Sequence, residues 1–216
     1  MSPVLASTDW VAIASIATAA ATLVLATATF AAVRSANRTA RAAEQSLAAQ
    51  LWPLLAPARP EDPEQKVMFQ DHFKVTVPGG QGAAEATPDA VYLAIAIRNF
   101  GPGLAVLDRW SFAVGRKDGT QGLSEEASFR RLTRDLYIAP GDVGFWQGAI
   151  RDPADPAFVE ATSAINRRDE MTIELRYSDH LGNQRTVSRF TMLPGSEGRW
   201  IVTASRHFNL DRPDPR

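Results

Sequence analysis

The chain contains no cysteine among its 216 residues. This absence excludes a disulfide framework, a thiolate zinc site and a cysteine nucleophile, while it leaves the redox compartment open. Lysine is scarce as well, with only Lys66, Lys74 and Lys117 among 23 basic residues. Together with the abundant alanine, this preference for arginine indicates a GC-rich bacterial genome.

Recognisable catalytic spacing is also absent. The histidines His72, His180 and His207 stand far apart, so no H-x-x-x-H motif is present. No G-x-S-x-G nucleophile elbow occurs, and the glycine-rich stretch 78–82 lacks the lysine of a phosphate-binding loop. A net charge of −1 provides no overall field that attracts nucleic acid. The sequence therefore predicts no enzyme activity, catalytic residue, cofactor, metal site or nucleic-acid partner.

The most informative feature is the uncharged stretch of 24 residues from Trp10 to Val33. Its length suits one helix across about 30 Å of hydrocarbon. The residues predicted to anchor it in the lipid bilayer are Trp10, Ile13, Ile16, Leu23, Leu25, Phe30, Arg34, Arg38 and Arg41. Two alternatives stay open at this point. The stretch, with ten alanines, also suits a buried helix of a soluble bundle, and a cleaved signal peptide would need a basic segment before it.

The charges that flank this stretch predict its orientation. Residues 1–9 contain no lysine or arginine, whereas residues 34–41 contain three arginines. By the positive-inside rule, the N-terminus lies outside the cell membrane and the rest of the chain lies in the cytoplasm. Small residues at i, i+4 spacing from Ala14 to Ala26 form a ridge through which two such helices can associate, although in so alanine-rich a helix this spacing arises readily by chance.

The composition divides the chain into segments of different character. They are an N-terminal tail 1–9, a transmembrane helix 10–33, a juxtamembrane helical stalk 34–52, a proline-rich linker 53–66, a β-sandwich domain 67–210 and a loose tail 211–216. Ser7, Thr8 and Asp9 are candidate caps of the first helical turn. The stalk fits either an amphipathic helix whose arginines meet lipid phosphates or a short heptad seam.

Alternating apolar residues indicate strands throughout the last 150 residues of the sequence, about enough for one buried core. The strand over 91–98 is apolar on both faces and is predicted to be central, and Asp71 interrupts the alternation over 67–77. Residues 79–88 are interpreted as a loop. A short helix is predicted over Asp155–Asn166, with Asp155 as its cap and Pro156 at its first position. About seven short strands separated by turns are typical of an antiparallel β-sandwich.

Two turn motifs give this pattern a family resemblance. The segment Arg98-Asn99-Phe100-Gly101-Pro102-Gly103-Leu104-Ala105 closes one strand, and Ile138-Ala139-Pro140-Gly141-Asp142 opens another. This order resembles bacterial Ig-like adhesion and CARDB-type domains, and single-pass bacterial membrane proteins that carry such a sandwich. The resemblance implies an Ig-like fold but no activity. The structural turn residues are Asn99, Gly101, Gly103, Pro140 and Gly141. Gly101 and Gly103 are expected to permit a positive φ, Asn99 to bond nearby backbone, and Pro140-Gly141 to set a tight turn.

These observations leave three hypotheses about function. The first is a non-enzymatic, membrane-anchored β module that binds or organises another protein at the cytoplasmic face. The second is an envelope-facing, adhesion-like module of opposite topology. The third is an enzyme with a loop-built site near Asp179 and His180. Two short arginine clusters, Arg130/Arg131/Arg134 and Arg167/Arg168, are candidate sites for phosphate or a lipid headgroup, although clusters this short are most often solvated surface.

Overall fold

The computed structural model describes residues 4–196 and 198–211. The chain divides into two compact units, residues 1–48 and 49–216. The described residues of the first unit belong to one long helix, and the second unit is a mainly β domain. Part of the C-terminal tail predicted over 211–216 lies outside the described residues.

The first helix, α1, is continuous from Val4 to Gln50, which is 47 residues. It therefore begins inside the segment predicted to be a tail, and the proposed capping residues Ser7, Thr8 and Asp9 lie within the helix rather than before it. Within Trp10–Leu47, a window of this helix has a mean hydropathy of 2.0. One N-terminal helix is thus long and apolar enough to span a membrane.

The second unit contains eleven strands and one α-helix among its described residues. The strands are β1 Leu55–Pro57, β2 Gln65–Met68, β3 Lys74–Val77, β4 Gln81–Ala86, β5 Val91–Asn99, β6 Ala105–Val114, β7 Arg130–Ile138, β8 Val143–Ile150, β9 Met171–Ser178, β10 Thr186–Pro194 and β11 Trp200–Asn209. The helix, α2, spans Pro156–Arg167, and the Asp155 carboxylate accepts a hydrogen bond from the Ala157 N–H. The inserted helix and its cap are therefore confirmed.

Nine of these strands form a single curled antiparallel sheet. The order β1-β5-β4-β11-β10-β9-β6-β7 runs across it, and β8 pairs with the other edge of β5. The strands β2 and β3 make a separate hairpin. The mainly β class is confirmed, although the domain has more strands than the seven predicted and the described strands form one large sheet with a small hairpin.

Each face of β5 is covered, which confirms its central place. One face contributes Leu93, Ile95 and Ile97 to the main core, together with Trp146 and residues of α2. The other face is covered by the β2–β3 hairpin, whose apolar side chains pack on Tyr92, Ala94 and Ala96. Because both faces are dry, the strand has the near-continuous apolar sequence of a buried strand.

Two local predictions have different outcomes. The break at Asp71 is confirmed, because residues 69–73 form the turn between β2 and β3. The loop predicted over residues 79–88 is wrong, since β4 occupies Gln81–Ala86. A Cβ on Gly82 would lie 2.7 Å from the Met192 Cε atom. Small residues occur here because the surrounding strands pack closely. The prediction of a loop was based on the same small residues, since glycine-rich composition is also typical of loops.

The turn motif at the end of β5 holds the segment that precedes β1. The buried Asn99 side chain accepts from the Leu54 N–H at 3.1 Å and from the Gly101 N–H at 3.0 Å. Its amide donates to the Gly103 carbonyl at 2.6 Å and to the Ile138 carbonyl at 3.0 Å. All four bonds are made by one amide, so Asn99 joins the segment that precedes β1 to both motif turns. The expected backbone bonding of Asn99 is confirmed.

The two glycines of this motif act differently from the prediction. Gly101 and Gly103 are not among the residues with positive φ, whereas Gly141 has a φ of 77°. A Cβ on Gly103 would overlap the Leu51 carbonyl, and one on Gly101 would overlap the Trp52 carbonyl. The motif needs glycine because the backbone of residues 51–54 crosses directly over it. The prediction of positive φ is therefore wrong for these two glycines, whereas the tight turn predicted at Pro140-Gly141 is present.

A buried chain of polar groups reinforces the same region. The Tyr177 hydroxyl lies 2.8 Å from the Ser188 Oγ and accepts from the Leu55 N–H at 3.2 Å. Ser188 Oγ lies 2.7 Å from His207 Nδ1 and donates to the Leu55 carbonyl. Both backbone groups of Leu55 are thereby paired with side chains from β9 and β10.

Burial raises the pKa of Tyr177 to about 12, which predicts a loss of stability in alkali. The folded pKa is higher than that of a free tyrosine, so the stabilisation is complete below about pH 10 and decreases as the pH rises toward 12. We expect the free energy of unfolding to fall by about 1 kcal/mol between pH 9 and 11 from this group. Urea unfolding of the full chain and of Tyr177→Phe measures it. Equal pH dependence in the two proteins would contradict the assignment.

Candidate anion-binding groove

The curled sheet has two ends, and they lie beside each other. β7 pairs only with β6 and β8 pairs only with β5 among the described strands. They are consecutive in sequence and joined by the Pro140-Gly141 turn, yet no ladder connects them. A slot therefore separates two strand edges. We call it the arginine groove, lined by Phe69, Trp110, Arg130, Arg131, Leu132, Thr133, Gln147, Gly148, Ala149 and Arg151.

Side chains bridge this slot where a strand ladder would otherwise form. The Gln70 amide, from the β2–β3 turn, donates to the Thr133 carbonyl of β7 at 3.5 Å. Arg134 donates to the Gln147 Oε1 of β8 at 3.2 Å. The Thr133 carbonyl thus accepts a hydrogen bond from a side chain instead of from the backbone N–H of a neighbouring strand.

Two arginines of the groove have carboxylate partners. Arg130 binds Asp155 through two bonds, at 2.5 and 3.0 Å, and lies over the Trp110 ring. Arg151 donates to the Asp71 carboxylate at 3.2 Å. The hydrogen bond from Arg130 lowers the pKa of Asp155, against an opposing effect of burial. For Asp71, burial raises the pKa, but bonds from Tyr92, the Phe73 N–H and Arg151 outweigh it, and the net pKa is lowered. Both carboxylates are thus held in the ionised form.

Two further arginines, Arg131 in the lining and Arg134 beside it, have no carboxylate partner among the described residues. Arg131 is exposed, and the described part of the chain places no carboxylate within ion-pair distance of it. Its direct cross-strand neighbour is Arg109, which pairs with Glu126 at 3.5 Å. Arg134 bonds a neutral amide and lies over the Phe145 ring. Because neither Arg131 nor Arg134 has a carboxylate partner among the described residues, this region carries positive charge that an anionic group can neutralise.

The dimensions of the groove limit what it can hold. Its volume is about 220 Å³, below the roughly 300–1,000 Å³ of typical small-molecule sites. It suits one or a few side chains better than a cofactor. Between residues 4 and 211, residue 197 aside, no cluster of His, Asp and Glu has the arrangement of a metal site.

The other candidate residues have structural partners. The Asp179 carboxylate accepts from the Leu181 and Asn183 N–H groups at 2.9 and 2.8 Å, so it organises its own turn, while His180 is exposed. In the second arginine cluster, Arg167 pairs with Asp169. Arg168 donates to the carbonyls of Gly195 and Arg199. Neither set has the geometry of an acid–base pair.

The anchoring residues of α1 lie along an exposed helix. Its large apolar side chains between Trp10 and Val33, including Ile16, Leu25 and Phe30, are 54–73% exposed. All five hydroxyls between Trp10 and Val33 donate to carbonyls of the preceding turn, those of Ser15, Thr18, Thr22, Thr27 and Thr29. This apolar surface therefore has no cover from the described chain and no unsatisfied hydroxyl.

Comparison of the chain with protein-family models, curated proteins and solved structures found no match.

The sequence identified three of the four arginines and missed Arg151. The position of Arg151 could have been predicted from the register of the β7–β8 hairpin. The turn at 139–142 sets residue 138 opposite 143, and the same count sets Arg130 opposite Arg151. Asp71 and Gln70 carry no such signal, because they reach the groove from a separate hairpin.

Proposed function

We propose that this chain is a non-enzymatic, single-pass membrane protein whose β domain binds another protein at the cytoplasmic face of a bacterial cell membrane. The observation that carries the proposal is the combination of an exposed apolar helix with arginines directly after its apolar part. Lipid covers such a helix without leaving polar groups unpaired, since its hydroxyls bond to its own backbone. Arg34, Arg38 and Arg41 then favour the cytoplasmic leaflet.

The β domain supports a binding role more than a catalytic one. The arginine groove offers positive charge and open strand edges but no nucleophile or general base. The Asn99 turn motif, the Pro140-Gly141 turn and the antiparallel strands support an Ig-like, CARDB-like relationship, which is part of the proposal. Self-association through the Ala14–Ala26 ridge is a weaker part of it, because the Thr18 and Thr22 hydroxyls already have partners within the helix.

Thiol labelling tests the orientation, because a chain without cysteine accepts single reporters. Leu181 is 62% exposed in the turn between β9 and β10. We expect Leu181→Cys to react with a membrane-impermeant maleimide in inverted vesicles and not in intact cells with a permeabilised outer membrane. Ser2→Cys, the matched control, should show the opposite pattern. Labelling of Leu181→Cys in intact cells would establish the envelope-facing alternative instead.

A further inference from the structure

We propose that α1 binds an acidic phospholipid on one face, where three arginines neutralise the headgroup and the apolar residues before them hold an acyl chain. The arginines are Arg34, Arg38 and Arg41, and we call them the stalk arginines. This inference rests on the proposed function, because it names the class of lipid that the membrane around the anchor supplies.

The stalk arginines share one face of α1. They follow one another at spacings of four and three residues, and at about 100° per residue this places them within an arc of about 60°. Along the helix axis they extend over about 10 Å, since each residue adds about 1.5 Å. Because the helix is continuous through this region, its backbone fixes the spacing of the three side chains.

No described residue of the chain neutralises these arginines. All three are exposed, and none of them takes part in an ion pair among the described residues. The single acidic residue between Trp10 and Pro60 is Glu44, which lies about 15 Å beyond Arg34 along the axis. The stretch directly after the apolar part of the helix therefore carries three positive charges that an anionic group can neutralise.

The same face of the helix is apolar where it lies in the hydrocarbon. Leu23 and Phe30 precede Arg34 by eleven and four residues, so the three residues lie within about 40° of one another around the axis. Both apolar side chains are 68% exposed. Leu23 lies about 16 Å from Arg34 along the helix, close to the roughly 15 Å of hydrocarbon in one leaflet. An acyl chain that packs on Leu23 and Phe30 thus places its headgroup beside Arg34.

The direction of the side chains brings the other two arginines toward the same headgroup. In an α-helix every Cα–Cβ bond is tilted toward the N-terminus, which is the side of the bilayer for Arg38 and Arg41. Long arginine side chains near the end of a membrane helix also extend along it to the interface. Arginine pairs with phosphate through two parallel hydrogen bonds. An acidic headgroup accepts these bonds without adding a cation, whereas a zwitterionic headgroup brings its own ammonium group to the site.

Electron spin resonance of labelled lipids tests the inference. The full chain is reconstituted in phosphatidylcholine vesicles with a trace of phosphatidylglycerol or phosphatidylcholine that carries a nitroxide on its acyl chain. The fraction of label that the protein immobilises measures the relative affinity for each lipid. We expect the acidic lipid to be preferred by at least about fivefold in low salt, the factor expected from one arginine. The preference should disappear in 1 M KCl, where the Debye length is about 3 Å.

Three variants distinguish a site on one face from a general attraction between charges. Replacing all the stalk arginines by glutamine should abolish the preference. Arg38→Ala combined with Ala36→Arg keeps the net charge but moves one guanidinium about 160° around the helix, and should lower the preference as much as Arg38→Ala alone. Arg116→Gln, which removes an exposed arginine of the β domain, should leave the preference unchanged. A preference in the Arg38→Ala/Ala36→Arg chain equal to that of the wild type would overturn the inference.

Failure of this inference can be separated from failure of the proposed function. If neither label shows an immobilised component, lipid does not surround α1 and the membrane anchor itself fails. If both labels are immobilised equally, the anchor stands and only the lipid preference is refuted. Loss of the preference in excess inorganic phosphate at constant ionic strength would assign the arginines to free phosphate and overturn the inference. So would an acidic protein retained only by the wild-type stalk, in the absence of any lipid preference.

Discussion

Replacing Glu174 by glutamine will lower the free energy of unfolding by about 4 kcal/mol. Glu174 and Arg189 are 1% and 0% exposed and form an ion pair at 2.7 Å. The substitution leaves the Arg189 guanidinium buried without its ion-pair partner, and an unpaired buried charge is far more costly than a buried pair. The effect extends beyond the pair, because Arg189 also donates to the carbonyls of Asp118 and Gln121 and so holds the loop after β6.

Urea unfolding of the full chain in detergent, followed by tryptophan fluorescence, measures this loss. Glu125→Gln changes an exposed carboxylate in the same loop and should have almost no effect. The double substitution Glu174→Leu with Arg189→Met should be less damaging than Glu174→Gln, because it removes both charges together. A Glu174→Gln chain as stable as the Glu125→Gln chain would show that the pair does not carry the charge balance assigned to it.

Replacing Gly103 by alanine will lower the free energy of unfolding by about 3 kcal/mol. The new methyl group would overlap the Leu51 carbonyl, and relief requires residues 51–54 to move away from the turn. That movement breaks the bond from the Leu54 N–H to Asn99 and weakens the attachment of β1. We therefore expect the stability loss to be accompanied by new protease cleavage between Gln50 and Ala58.

Two further variants separate this steric cause from a general intolerance of alanine. Gly122→Ala is the matched control, because a Cβ there meets no atom within 4 Å and no positive φ is needed. Asn99→Asp keeps both acceptor bonds and loses the donors to Gly103 and Ile138, so it should reproduce the protease sensitivity. If Gly103→Ala and Gly122→Ala are equally stable and equally resistant to protease, the close approach of the two backbone segments is refuted.

The sequence predicts those parts of the fold that depend on periodicity. The central strand over 91–98 and the capped helix α2 both follow from local patterns, and the structure has them. The helix α1 is also predictable from the sequence, although it begins at Val4, before the polar residues Ser7, Thr8 and Asp9 that were expected to cap it. In each case, the residues that interact are also close together in the sequence.

Features that depend on contacts between residues far apart in the sequence cannot be predicted in the same way. Gly101 and Gly103 are conspicuous in sequence, but the reason for them lies in Leu51 and Trp52, which cross above the turn. Residues 81–86 have the composition of a loop and form a strand because they pair with β5 and β11, which are distant in sequence. The arginine groove depends on how the sheet curls, which brings β7 and β8 together without pairing them. The pair Glu174–Arg189 is invisible in sequence, since both residues alternate with apolar ones as surface charges do.

The most direct test of the account is whether lipid surrounds the apolar part of α1. Flotation of the full chain with neutral liposomes in 1 M KCl distinguishes insertion from surface attachment, because this salt reduces the Debye length to about 3 Å and screens the arginines. We predict that the wild-type chain floats with the lipid, and that Leu23→Arg, which places a charge in the middle of the apolar stretch, floats much less. Recovery of the wild-type chain as a folded species in the dense fraction would contradict the membrane anchor and the function built on it.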